Sequence, residues 1–320
     1  MLFPLLKAYA RLAIKIYCRS IIINNQEWLH AKGPLLLASN HPNSFLDGII
    51  LTTLFKADIY TLARGDAFRN RKHERLLRWL HLLPVYRTSE GVENLEHNYT
   101  TFDSCKEIFE QDGIVMIFSE GRCINEWHLR PLKKGTARLA ISAWQQGIDL
   151  TVVPVGFNYN TFRNFGKNVF INFGEPIDKD KVLEHASDGK MFLSFNEQLK
   201  AALESLVYEI DKNDKVALRQ KFHIHQPLLK NLLLAIPALA GFLLHAPIYF
   251  SAKGINKKHF NNDHFESTLV GMLVLAYPLY LLLFFLLIGI FWSWPAALSV
   301  WLVFPFCAWA CVQLKNQLDN

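Results

Sequence analysis

Two side chains in this sequence are spaced to move a proton: His41 and Asp47, six positions apart in Asn40-His41-Pro42-Asn43-Ser44-Phe45-Leu46-Asp47. They follow a short apolar run, Leu35-Leu-Leu-Ala-Ser39. Pro42 ends that run as a regular ladder, because it has no N–H and restricts the residue before it. His41 is therefore expected at a strand end, where the chain turns towards a helix starting near residues 44–47. An acid one helical turn on can reach back to the imidazole, which is the base-plus-orienter arrangement of a general-base site. A loop histidine beside a helix N-cap has the same local pattern, and the pair alone does not separate the two.

The elements that must carry this pair read as alternating strands and helices. Residues 34–39, 58–63, 83–87, 113–118, 150–155 and 168–172 have the length and β-rich apolar character of strands. Helical patterns occupy 45–56, 67–81, 92–111, 136–147 and 192–212. Such alternation predicts an α/β fold, a mixed sheet flanked by helices. Sheets of this class place their sites at the carboxyl ends of strands. His41 and Glu120 both fall there, Glu120 within Phe118-Ser119-Glu120-Gly121-Arg122.

The chain has 320 residues, 51% of them hydrophobic, and a net charge of +6. The apolar excess is concentrated in 1–20 and 228–312. Three regions follow: an amphipathic interface helix over 1–24, an α/β domain over 25–225, and a membrane region over 226–320 with two or three hydrophobic helices. In the first, Lys7, Arg11, Lys15 and Arg19 recur every four residues beside a wide apolar face, as in a helix lying in a bilayer interface. Arg69, Arg71, Lys72, Arg75 and Arg78 mark a second basic amphipathic helix suited to anionic lipid. Segments 268–292 and 294–312 are long enough for a transmembrane hairpin, whereas 232–250 either spans or dips in and returns. Lys253, Lys257 and Lys258 in the connection 251–267 favour a cytoplasmic position for it. That orientation gives a hairpin with both ends, and the active site, facing the cytoplasm. A nucleic-acid partner is not expected, since no signature of one accompanies the positive charge. The five cysteines are scattered and form neither a disulfide framework nor a CxxC site, which fits a reducing compartment for the soluble part.

Four separated pieces line up in order: Asn40-His41…Asp47, Val85-Tyr86-Arg87, Phe118-Ser119-Glu120-Gly121-Arg122 and Val152-Val153-Pro154-Val155. Together they resemble the four blocks of the glycerolipid acyltransferase family, which contains glycerol-3-phosphate and 1-acylglycerol-3-phosphate acyltransferases. Lys133-Lys134-Gly135 and Phe173-Gly174-Glu175-Pro176-Ile177 add to the likeness, which covers about residues 25–180. The resemblance implies transfer of an acyl group from an acyl-CoA or acyl-carrier-protein thioester to a hydroxyl of a phosphate-bearing glycerol, with the thioester as co-substrate and no cofactor or metal. It makes His41 the general base and Asp47 its orienter. Arg87, Arg122 and Lys134, with the amides at Gly135-Thr136, become candidates for binding the acceptor's phosphate, because fork-shaped cations and helix starts suit that anion. Gly121 belongs to the same block. Glu120 either accepts from a substrate hydroxyl or braces the arginines, and Pro154 shapes a strand end near the acyl donor.

The sequence differs from the common family pattern in two places. Five residues separate His41 from Asp47, one more than usual, so a bulge or wider turn is needed for the two to meet. In the third block Ser119 replaces the usual proline, and Arg122 directly follows Gly121. Three other readings are distinguishable. One is acylation of another lysophospholipid, and another is a non-catalytic membrane-surface scaffold. The last is metal-dependent hydrolysis using His41, Asp47, Glu120 and His128, for which no H-E-x-x-H motif is present.

Overall fold

The computed structural model describes residues 2–86, 97–260 and 262–318. Arg87 and the first five residues of the helix expected over 92–111 lie outside them. The described elements run, in chain order, α1 (Leu2–Tyr17), β1 (Cys18–Ile23), β2 (Leu35–Ser39), α2 (Phe45–Leu54), β3 (Ile59–Arg64), α3 (Arg71–Trp79) and β4 (Leu82–Val85). They continue with α4 (His97–Glu110), β5 (Ile114–Phe118), α5 (Gly135–Gln145), β6 (Thr151–Tyr159), β7 (Lys167–Phe173), α6 (Lys179–Leu183), α7 (Asp188–Leu206) and α8 (Lys215–Phe222). The apolar end of the chain forms α9 (Leu228–His259), α10 (Phe265–Phe291), α11 (Trp294–Leu298) and α12 (Val300–Leu314).

The seven strands form one mixed sheet in the order β1-β7-β6-β2-β5-β3-β4, with β6 and β7 antiparallel and the other neighbours parallel. β2 lies at its centre and every one of its residues is buried. A continuous apolar run is what a strand covered on both faces requires. Side chains alternate across the sheet. Leu36, Ala38, Val115, Ile117 and Val152 accordingly face one core with α4, α5 and α7, while Leu35, Leu37, Ile114, Met116 and Val153 face another with α1 and α2. In register, Ser39 pairs with Phe118 of β5 and with Val155 of β6. β2 and β5 thus end side by side while β6 runs on past them, and the loops after β2 and β5 emerge together.

Three sequence expectations change. The N-terminal helix stops at Tyr17, and residues 18–23 are a strand at the sheet edge rather than part of the interface helix over 1–24. Pro154 lies inside β6, which runs on to Tyr159, and so does not mark a strand end. It falls just before β7 begins to pair, at Val155, so its missing N–H costs no bond in that ladder. Lys253, Lys257 and Lys258 belong to the last turns of α9 rather than to a loop.

The basic stripe of the N-terminus also has a different role. Lys7 donates to the Ala57 carbonyl at 2.8 Å and pairs with Asp58 at 3.1 Å, and Arg11 donates to the Thr53 carbonyl at 2.6 Å. Both cations therefore meet the carbonyl-rich C-terminal end of α2, where positive charge is favoured. Arg19 is buried and donates to the carbonyls of Val312, Gln313 and Lys315 at the end of α12. Among these four basic residues only Lys15 is left for the interface, with Leu2, Leu5 and Leu12 exposed beside it.

α9, α10 and the pair α11–α12 are each long and apolar enough to cross a membrane. Both ends of α9 lie on the side of the sheet. Lys230 donates to Gln313, beside the carbonyls that Arg19 holds, and Asn256 donates to the Phe265 carbonyl at the start of α10. The turn between α10 and α11 is the far end of the hairpin and carries the exposed Phe291, Trp292 and Trp294.

Candidate active site

Asn40 fixes the end of β2. Its side chain donates to the Phe157 carbonyl at 3.0 Å and accepts the Phe157 N–H at 2.8 Å, copying a strand pair with β6. The next residue, His41, stacks on the Phe118 ring with centroids 3.7 Å apart. Its Nδ1 lies 2.9 Å from Asp47 Oδ2. The expected reach-back therefore occurs despite the extra residue. The wider turn is made at Ser44, whose φ of 52° lies in the left-handed region, costly for a residue with a side chain.

Asp47 is fully buried and every bond to it is a donor's. Oδ2 accepts from His41 Nδ1 and from the Asn43 N–H at 2.9 Å, and Oδ1 accepts from the Tyr159 hydroxyl at 2.6 Å. A carboxylate in this setting only accepts, so Nδ1 carries the imidazole proton and Nε2 keeps its lone pair. Burial pushes the Tyr159 phenol well above its ordinary value, with the Asp47 charge adding to the effect. It thus stays a donor. In this arrangement Nε2 is free of Asp47 and can accept a proton, and Asp47 can stabilise the imidazolium that results.

Glu120 braces the loops around the histidine. Oε2 accepts the His41 N–H and Oε1 the Arg130 N–H, both at 2.9 Å. Burial raises its carboxyl to about 7, against the lowering effect of those two bonds. Cys123 is the nearest thiol to this loop and accepts the Ser44 N–H at 2.9 Å. Desolvation and then the Asp47 charge push its ionisation far up, which keeps it a neutral thiol rather than a nucleophile.

The acyltransferase family profile matches residues 20–158, a span that begins at β1 and ends in β6. That span is similar to acyltransferases, as the four sequence blocks within it suggested. A glycerol-3-phosphate O-acyltransferase 2 of Saccharomyces cerevisiae is 29% identical over 125 residues, which are 38% of this chain and 16% of that protein. The chain thus matches about a sixth of that relative's length. The crystal structure of the 1-acyl-sn-glycerophosphate acyltransferase of Thermotoga maritima aligns with a TM-score of 0.43 at 14% identity, covering 64% of this chain and 79% of that one.

Within the matched span and just beyond the histidine loop, the third sequence block and the Lys-Lys-Gly segment come together. Lys133 N–H donates to the Ser119 carbonyl at 2.7 Å, and the Thr136 hydroxyl donates to Ser119 Oγ at 3.0 Å. Gly121 has φ +65°, and a Cβ there would lie 3.1 Å from Lys133 Cγ. Glycine thus serves both the turn and the close approach. The loop runs past the histidine, since the Ile124 N–H donates to the His41 carbonyl. Arg122 and Lys134 are exposed. Lys134 occupies the cap position of α5 without a side-chain cap bond, so it does not itself cover the first amides of the helix. His128, the fourth residue of the metal reading, pairs with Glu209.

Several residues of the site were given no role from sequence: Phe118 stacked on the imidazole, Tyr159 and Asn43 on Asp47, and Lys167 and Glu266 behind them. One signal was available. Glu266 is the only acid in the segment 265–291, and a lone carboxylate heading an apolar span is seldom idle.

Proposed function

We propose that this protein transfers a fatty acyl group from a CoA or carrier-protein thioester to a hydroxyl of glycerol 3-phosphate or 1-acylglycerol 3-phosphate. The observation that carries this reading is the His41–Asp47 pair at 2.9 Å at the carboxyl end of β2, beside the loop of Gly121 and the start of α5. His41 Nε2 removes the acceptor hydroxyl's proton as its oxygen attacks the thioester carbonyl. The new C–O bond forms, the C–S bond breaks, and the imidazolium returns the proton to the thiolate. Asp47 holds the tautomer throughout and is not itself protonated.

Arg122, Lys134 and the first amides of α5 bind the acceptor's phosphate, where a helix N-terminus and exposed cations favour an anion. Arg87 is assigned to the same phosphate on its motif alone. Gly121 shapes the loop, and Glu120 serves by bracing it rather than by touching the hydroxyl. No cofactor beyond the thioester is assigned.

The domain sits on the membrane that supplies the lipid substrate. α10 and α11–α12 form a two-span hairpin, and α9 dips in and returns, since both of its ends lie beside the sheet while the Leu244 carbonyl at its middle accepts from Tyr280 of α10. The exposed tryptophans at the hairpin tip suit the opposite interface. The lysines at the end of α9 support an active site on the cytoplasmic side. α3, with no buried residue and with Leu76 and Trp79 exposed beside its basic residues, faces anionic headgroups.

An acyl-transfer assay on the solubilised full chain tests the reading. It offers both acceptors with CoA and carrier-protein thioesters. Transfer to at least one phosphate-bearing glycerol is expected, and failure on all of them, with other lysophospholipids tried as well, would defeat it.

A further inference from the structure

Two buried charges stand behind the His41–Asp47 pair. Lys167 opens β7 and Glu266 lies in the first turn of α10; both side chains are fully buried and they pair at 2.6 Å. Bringing two ions out of water is costly, and an apolar pair of similar volume often stabilises a fold as well or better. The retained charges thus point to a task other than stability, and their hydrogen bonds indicate which.

Glu266 Oε2 also accepts from Asn43 Nδ2 at 2.8 Å, and Oε1 accepts from the Tyr17 hydroxyl at 2.9 Å. Asn43 is the residue whose backbone N–H donates to Asp47 Oδ2. A second route runs through Lys167, whose ammonium lies 5.5 Å from the centre of the Tyr159 ring. Tyr159 donates to the other oxygen of Asp47. The next residue of α10 holds the same loop. Ser267 Oγ donates to the Asn43 carbonyl at 2.9 Å and accepts the Leu46 N–H at 3.2 Å. Between these residues lies Ser44, with its left-handed backbone, and its hydroxyl bonds His264 Nδ1 at 2.6 Å. The one-residue-longer turn between histidine and aspartate is therefore gripped on both sides by the start of a membrane helix.

We propose that Glu266, held in place by Lys167, is a positioning residue for the His41–Asp47 base, so that the first turn of α10 completes the active site. This rests on the acyl-transfer reading of that site. The longer turn is strained at Ser44 and gains its shape from α10, and the membrane hairpin thereby helps to hold the catalytic histidine.

The test uses the full chain in nanodiscs, as wild type, Glu266→Gln and the double variant Lys167→Met/Glu266→Met. It measures kcat, KM for the acyl thioester, melting temperature, and hydrogen exchange of the Asn43 and Leu46 amides. Glu266→Gln is expected to lower kcat at least ~10-fold, since small misplacements of a catalytic group have large effects. Its KM is expected to stay within about 2-fold while both amides exchange at least ~10-fold faster. The double variant removes the unpaired charge and is expected to recover melting temperature without recovering kcat or slow exchange. It also decides the matter if Glu266→Gln does not fold. Wild-type kcat in Glu266→Gln, or recovery of both stability and kcat in the double variant, would reduce the pair to fold support and overturn the proposal. If the wild type transfers no acyl group, the acyl-transfer reading fails by itself. The exchange rates then decide separately, and unchanged protection in both variants would overturn the positioning role.

Discussion

Tyr159, at the end of β6, donates its phenolic hydrogen to Asp47 Oδ1 at 2.6 Å, so the acid behind His41 is held by the sheet as well as by its own helix. Removing that donor leaves a buried carboxylate oxygen short of a partner. Tyr159→Phe is expected to lower kcat by roughly 10-fold with little change in KM for the acceptor, as fits a group acting through Asp47. Asp47→Asn favours the wrong imidazole tautomer and His41→Ala removes the base, and each is expected to lower kcat by at least ~10²-fold. Steady-state rates on the three variants check the order, and a Tyr159→Phe enzyme slower than His41→Ala would contradict it.

Arg122 and Lys134 are exposed and lie on segments joined through Ser119. If they bind the acceptor's phosphate, Arg122→Ala and Lys134→Ala raise KM for the acceptor by about 10-fold each, the scale of one lost charge-assisted hydrogen bond. KM for the thioester then changes little. Raising the ionic strength weakens acceptor binding in the wild type more than in the variants. Equal effects on both substrates would argue against a phosphate site here.

Glu120 makes stability depend on pH in a defined direction. Burial raises its carboxyl from 4.5 to about 7 in the folded chain, so the folded state holds the proton more tightly than the unfolded one. Between about 4.5 and about 7 the native state keeps a proton that the unfolded state has lost, and stability falls as pH rises through that window. The loss is complete above about 7. Glu120→Gln does not titrate. The melting temperature of Glu120→Gln minus that of the wild type should therefore increase between pH 5 and pH 8. A flat or falling difference would show that the folded carboxyl is not raised.

Cys123 offers a sharp test of direct transfer. Its thiol is buried and its ionisation is pushed far up by desolvation, so direct transfer with no acyl-cysteine is expected. Cys123→Ser keeps an acceptor for the Ser44 N–H and is expected to retain activity within about 3-fold, whereas loss of a true nucleophile costs orders of magnitude. Trapping an acyl group on Cys123 by mass spectrometry would refute the direct mechanism.

What the sequence determined by itself was local chemistry and local pattern. The Asn40-His41-Pro42 strand end, the acid one turn on, the alternation of strands and helices and the apolar C-terminal segments all depend on neighbours within a few residues. The structure keeps them. Tertiary structure decided the partners of charges. Lys7, Arg11 and Arg19 have the spacing of a lipid-facing stripe, yet the first two bind at the end of α2 and the third at the end of α12. Cys18–Ile23 continues the apolar run of α1 and becomes a strand because β7 lies beside it. Glu266 reaches a loop more than two hundred positions earlier in the chain. A charged side chain carries the same sequence signal whether it meets water, lipid or a buried carbonyl. The cost of leaving it unpaired in the interior is settled only when distant segments pack.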